Sequence, residues 1–333
     1  MKTSDPATGQ GFESLPLRQT ITTYPAAQGK KGTVMNDFEI VTDGSADVDA
    51  EILSEKGVTV VPFYVMLGSG EYKRQNYEVT TAEFYNWMIS NPGLFPKSSA
   101  PSAEDYFEVF RPMAEAGRKI ICICITVKFS SSYQSALIAR QMVLDELPDA
   151  SIEVIDATVN TVLQGQLVLE ACALRDAGTS FDNAVNTINS LKSTGRIFFT
   201  IGSMDYLRMG GRIGQLAGKI SSMLGIRPII TLSEGEIHAS GMVRGRQKSI
   251  EKVKNLAKNY LIENFSSPED LSITVGYGYG YDEAFALRND MLEMLDSLGL
   301  KRNIPIERIS SVIGVHTGPY PLGVGILKRA IKA

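Results

Sequence analysis

Five short segments of this chain gather hydroxyl, glycine and charged residues at the ends of apolar stretches. They are Asp43-Gly44-Ser45-Ala46-Asp47, Ser98-Ser99-Ala100-Pro101-Ser102, Phe129-Ser130-Ser131-Ser132-Tyr133, Gly210-Gly211-Arg212 and His316-Thr317-Gly318-Pro319. Hydroxyls, an arginine and a histidine form a donor set suited to an oxyanion, because a desolvated carboxylate is costly unless several donors satisfy it. Ser130 stands just ahead of a predicted helix start, where unpaired N–H groups and the helix dipole favour an anion. Arg208 and Arg212 bracket Gly210 and Gly211. Glycine lets a backbone approach a ligand or another chain closely, and arginine can fork onto carboxylate or phosphate. Plainer roles stand beside these: the serines can be turn formers or helix caps, and the glycine pair a tight turn with a solvated arginine. Asp43 and Asp47 could serve as acid/base groups or metal ligands. They read better as an acceptor of loop N–H groups and as a helix starter. His316 is one of two histidines; the other, His238, has no motif around it.

Other motifs fall short of the chemistry they evoke. Gly276-Tyr277-Gly278-Tyr279-Gly280 lacks the Gly-x-Gly-x-x-Gly spacing of a dinucleotide loop. Gly218-Lys219 is followed by Ile220 and lacks the upstream glycine of a phosphate-binding loop. Cys122 and Cys124 would share one strand face, but no histidine or further cysteine completes a metal site, so they read as core thiols. No metal or cofactor is expected. The net charge of −4 and the absence of a Lys/Arg-rich tract argue against nucleic acid. Three cysteines fit a reducing compartment, and the cytoplasm is the expected location. No stretch of ~18 apolar residues predicts a membrane-spanning helix.

The elements that must position these residues alternate from Phe38 onward. Strands are predicted over Phe38–Thr42, Val58–Val65, Lys119–Thr126 and Ile152–Asp156. Helices are predicted over Val48–Lys56, from Thr80 or Thr81 to Met88, Glu104–Ala116, Ser131–Glu146, Val162–Arg175 and Phe181–Leu191. Continuous apolar strands separated by helices argue for a parallel sheet buried on both faces. Later, a strand from Arg196 is expected to run to Gly210-Gly211-Arg212, with a helical stretch near Leu216–Leu224. A hairpin over Arg227–Val243, helices over Ile250–Asn264 and Asp282–Leu298, a strand over Leu271–Tyr277, a strand ending near Val315 and a short strand at Val324–Leu327 complete the pattern. The fold class is α/β with two lobes. An N-terminal, mainly parallel sheet flanked by helices faces a C-terminal α+β lobe, with a ligand pocket between them. The expected divisions are residues 1–36 as an N-terminal extension, 37–158 and 159–333. Residues 1–34 are polar, lack an apolar core segment and do not read as a secretory signal.

In order, spacing and context the five segments resemble the DegV family of bacterial fatty-acid-binding proteins, from Phe38 to the C-terminus. The family's first three motifs usually read Asp-Ser-Thr-Ala-Asp, Thr-Ser-Gln-Pro-Ser and Leu-Ser-Gly-Thr-Tyr. Here Gly44-Ser45 stand for Ser-Thr, Ser98 for Thr, Ala100 for Gln and Ser131-Ser132 for Gly-Thr. Ser131 is the departure of most consequence, since losing that glycine could alter the loop's backbone angles. The resemblance implies a non-catalytic protein that holds a long-chain fatty acid in an apolar tunnel. Its carboxylate would meet Ser98, Ser99, Ser130 and His316. Arg208, Gly210, Gly211 and Arg212 would lie at the pocket mouth or against a partner. The implied partner is the catalytic subunit of an ATP-dependent fatty acid kinase that forms the acyl phosphate, with transient contact to a membrane surface. Two other readings stay open: a serine hydrolase or acyltransferase built on Ser130 and His316, and a lipid-sensing regulatory protein.

Overall fold

The structure, a computed structural model, describes residues 37–216 and 225–331. The expected N-terminal extension and most of the helical stretch near Leu216–Leu224 lie outside the described residues. The first part of the chain runs β1 (Phe38–Asp43), α1 (Ala50–Glu55), β2 (Val58–Val61), β3 (Tyr64–Met66), β4 (Lys73–Arg74), α2 (Thr81–Ser90) and β5 (Lys97–Ser99). It continues through α3 (Ala103–Glu115), β6 (Lys119–Cys124), α4 (Ser132–Glu146) and β7 (Ile152–Asp156) to α5 (Thr161–Asp176) and α6 (Phe181–Leu191). The remainder is β8 (Arg196–Thr200), α7 (Asp205–Met209), β9 (Ile226–Ser233), β10 (Glu236–Arg244), α8 (Arg246–Asn264), β11 (Leu271–Tyr277), α9 (Tyr281–Ser297), β12 (Ile306–Arg308), α10 (Ser311–Thr317) and β13 (Leu322–Lys328).

One sheet has the order β2-β1-β6-β7 and is parallel throughout. Side chains alternate across a strand, so a sheet covered on both sides must be apolar at every position. Ile120, Ile121, Cys122 and Ile123 are all fully buried. Phe38, Ile40, Ile121 and Ile123 share a core with Leu163 and Leu167 of α5. Cys124 meets Tyr106 of α3 on the opposite face, 3.5 Å from its hydroxyl. Cys122 and Cys124 do share that face, with sulfurs 3.6 Å apart.

A second sheet, β10-β9-β8-β13-β11-β12, is antiparallel except for the β11–β12 pair. One face packs on α8 and α9, where Val324 and Ile326 meet Val253, Ala257 and Leu287. The other face receives α5: Gln166 Nε2 donates to Thr274 Oγ1 at 2.7 Å. Helix α5 therefore lies between the two sheets, which explains why Leu163, Gln164, Leu167 and Val168 all have zero exposure. It begins just after the expected division at residue 158, and residues on both sides of that position belong to one compact unit.

The two-lobe α/β class holds, and several boundaries differ from expectation. Val58–Val65 is not one strand: the chain leaves the parallel sheet at Pro62, which has no N–H for a ladder, and Tyr64–Met66 joins a small antiparallel sheet of order β4-β3-β5. The strand from Arg196 stops at Thr200, and helix α7 intervenes before Gly210. The strand expected to end near Val315 is instead helix α10. Ser311 through Val315 are all buried, so no apolar stripe marked the helix period. Helix starts followed their caps: Thr80 with Glu83 and Ser102 with Asp105 form reciprocal capping boxes.

Candidate functional site

A cavity opens where the ends of β6 and α5 meet β5, α7, α10 and the second sheet. It encloses about 1020 Å³ of free space, its opening to solvent included. Phe63, Ile125, Phe129 and Ala100 line it from the first half of the chain. Phe199, Leu207, Leu232, Val312, Ile313 and Leu322 line it from the second. Ser98, Ser130, Asn160, Thr161, Arg212 and His316 are the polar side chains of this wall that bear on a ligand.

His316 sits in the last turn of α10 and Ser98 in the edge strand β5, 218 residues away in sequence. Ser98 Oγ and His316 Nε2 are 3.2 Å apart. Ser130 also lines the cavity, and its Oγ accepts the N–H of Ser132 at 3.1 Å. Ser131 has φ −81°, which any residue adopts, so the missing glycine does not distort this turn. Arg212 ties two motifs together: its Nε donates to the Phe129 carbonyl at 2.9 Å and an Nη donates to the Gly210 carbonyl at 2.7 Å. Gly210 backs directly onto the His316 ring. A Cβ built on Gly210 would run into His316 Nδ1 and lie 2.8 Å from Cε1.

Burial, and then the Arg212 charge, push the His316 pKa down to about 4, so the ring is neutral at pH 7. Its Nδ1 is buried with no hydrogen-bond partner among the described residues. A neutral imidazole with one nitrogen against a hydroxyl, beside a guanidinium, can donate to an anion. It lacks the third group that would orient it as a general base.

The remaining candidates separate from this group. Ser99 points the other way along the strand, is exposed, and donates only to the Ala100 carbonyl at 3.4 Å; it is not brought to the cavity. Arg208 is exposed and pairs with Asp205 at 3.3 Å, outside the cavity wall. Gly211 has φ +68° with open space around it. Asn160 and Thr161, at the start of α5, also line the cavity and had drawn no attention in the sequence. Their signal is conformational: Thr158 and Thr161 have φ +55° and +50°, an outlier for β-branched residues that no sequence pattern announces. Among the described residues no helix is long and apolar enough to cross a membrane.

A mostly apolar cavity at the junction of the two sheets, with hydroxyl, imidazole and guanidinium donors in its wall, defines an α/β protein built around a small-ligand pocket. Residues 37–329 match the family model for DegV, described as "Uncharacterised protein, DegV family". The chain belongs to the DegV family. A DegV domain-containing protein of Caldanaerobacter subterraneus is 30% identical over 297 residues, covering 87% of this chain and 98% of the relative. Among solved structures, a stearic acid-binding protein from Eubacterium ventriosum is 39% identical with a TM-score of 0.81, over 88% of this chain and 99% of that one. A DegV family protein from Thermus thermophilus, described by its fatty acid binding, is 29% identical with a TM-score of 0.78, over 88% and 99%.

Proposed function

We propose that the cavity binds one long-chain fatty acid, its tail among the apolar walls and its carboxylate at Ser98, Ser130 and His316. The observation that carries this reading is the Ser98–His316 contact beside Arg212, set in a wall that is otherwise mostly apolar. Similarity to the stearic acid-binding protein of Eubacterium ventriosum supports the ligand class. The energetics suit it. Burying ~14 methylenes at ~0.8 kcal/mol each offers roughly 11 kcal/mol before the costs of association. Neutral His316 donates through Nε2, and the two serine hydroxyls donate without needing a charge of their own. Affinity comes from the tail and head-group choice from these donors.

In this reading the protein is not an enzyme. It presents the carboxylate to a separate ATP-dependent kinase in the cytoplasm, holds the resulting acyl phosphate and meets a membrane surface only transiently. Arg208, exposed and paired only at the surface with Asp205, is a guanidinium that the kinase can recruit. A serine hydrolase built on Ser130 and His316 is disfavoured because His316 faces Ser98 instead, and its Nδ1 has no carboxylate.

Organic extraction of purified protein followed by mass spectrometry tests the binding. About one long-chain fatty acid per chain is expected. Folded protein that carries none, and takes up none when offered, would overturn the proposal. A fluorophosphonate probe should leave the protein unlabelled, and ATP should be turned over only when the cognate kinase is added.

A further inference from the structure

The two carboxylates of the first motif are buried, and neither lines the cavity. Each nonetheless holds a residue that leads to the head group: Asp43 a neighbour of Ser130, and Asp47 the N-cap of the helix that carries His316. Asp43 Oδ2 accepts from Ser132 Oγ at 2.7 Å and from the Ile125 N–H at 2.9 Å. The N–H of that same Ser132 donates to Ser130 Oγ. Asp43 Oδ1 accepts from the Ser45 hydroxyl at 2.6 Å, the Ser45 N–H at 3.2 Å and Gln164 Nε2 at 2.9 Å. Asp47 Oδ1 accepts the N–H of Ser310 at 3.0 Å. Ser310 is the N-cap of α10, the helix that carries His316. Asp47 Oδ2 accepts the hydroxyl of Thr161, which holds a β-branched residue at positive φ at the start of α5. Strain of that kind persists only where surrounding contacts over-determine it.

We propose that Asp43 and Asp47 are a pair of positioning residues that fix the separation of the two head-group arms, Asp43 through Ser132 to Ser130 and Asp47 through Ser310 to His316. The motif Asp-x-x-x-Asp is then a rigid bracket, five residues long, between parts of the chain that meet only in the fold. The inference rests on the head-group reading above. It assigns the motif to ligand selection without any contact to the ligand.

The two carboxylates differ in what can replace them. Asp43 accepts fixed N–H donors on both oxygens, from Ile125 on one and from Ser45 and Gln164 on the other, so an asparagine amide must face a donor whichever way it lies. Asp47 faces one fixed N–H and one hydroxyl. A hydroxyl can turn and accept, so asparagine fits there. The test compares binding of palmitate with binding of hexadecanol, an equal tail without the anion. Loss of general stability or of tail packing lowers both, whereas a misplaced head-group arm lowers only the acid. For Asp43→Asn and Asp47→Ala we expect palmitate affinity to fall roughly 10-fold or more, the loss of about one charge-assisted bond, with hexadecanol unchanged. Asp47→Asn should keep the wild-type ratio. Ser132→Ala deletes one hydroxyl and no backbone group, and it should shift the ratio in the same direction even if the aspartate variants do not fold.

Ser130→Ala and His316→Ala serve as the reference. If neither changes the acid-to-alcohol ratio, the head-group reading itself fails. If both change it while Asp47→Ala, Asp43→Asn or, failing those, Ser132→Ala does not, the bracket is wrong. Equal loss of acid and alcohol in the aspartate variants also overturns it, since that is the signature of a merely structural role.

Discussion

At the scale of single residues, the site depends on one close approach. Gly210 leaves room for the His316 ring, and no other residue type does so without displacing it. Gly210→Ala should push against the Nδ1 edge of the imidazole and move Nε2 away from Ser98. Overpacking of this kind costs roughly 1–3 kcal/mol. The expected outcome is a folded protein with a lower melting temperature and palmitate binding weakened about as much as by His316→Ala. Gly211→Ala is the informative neighbour: it meets only the backbone cost of φ +68°, with nothing in its way. It should cost about 1 kcal/mol of stability and leave binding alone. Melting curves and fatty acid titrations on both variants decide this, and wild-type binding by Gly210→Ala would show that His316 is not held as described.

At the scale of elements, α5 and α10 set the site, and the groups buried around them titrate in opposite senses. Burial raises the Asp47 pKa to about 7, and burial with the nearby Asp49 and Asp47 charges raises Glu307 to about 7. The unfolded aspartate titrates near about 3.9. Between about pH 4 and 7 the native state thus holds more protons than the unfolded one, and this contribution to stability falls as pH rises. His316 runs the other way. Its native pKa of about 4 lies below the unfolded value of about 6.5, so its contribution is complete above 6.5 and is lost as pH falls toward 4. With two carboxylates against one imidazole, lipid-free wild type should therefore lose stability to urea as pH rises across this window. Asp47→Asn, which leaves one carboxylate against the imidazole, should change little from about pH 4.5 to 6.5, and His316→Gln should lose stability more steeply than wild type. Parallel pH profiles for the three proteins would contradict the assignment of these groups.

The same elements show what could be read from the chain. The parallel sheet was legible because β6 is a continuous apolar run after Lys119 and β1 and β7 are short, mostly apolar segments between helical patterns, and α2 and α3 because their caps announce them. Helix α10 was not, since a seven-residue helix buried on nearly every side carries no stripe. The donor types were legible from the motifs. Their grouping was not: Ser98 meets His316 across 218 residues, and Ser99 is excluded by strand alternation once β5 is known to be a strand. The Asp43–Asp47 motif was read as loop structure, and only its partners reveal how close it stands to the site.

At the scale of the whole molecule, the cavity belongs to neither sheet alone. Its walls come from β5, the end of β6, α5, α7, α10 and strands β8 to β11 and β13, with lining residues spread from Phe63 to Gly323. Helix α5, packed on both sheets, couples their stabilities. A ligand that binds only the folded state stabilises it by about 2.7 kcal/mol at one hundred times its dissociation constant. For a chain of this size that corresponds to a rise in melting temperature of roughly 5 °C or more. Filling the cavity should raise one shared transition, without separating the halves. At equal free concentration the rise should grow with chain length from octanoate to palmitate, because each added methylene buries more apolar surface and lowers the dissociation constant. Acetate, which has the head group and no tail, should produce none. Differential scanning calorimetry of delipidated protein with each acid measures this directly. Two transitions that respond separately, or a shift as large with acetate as with palmitate, would show that the tail does not lie between the sheets.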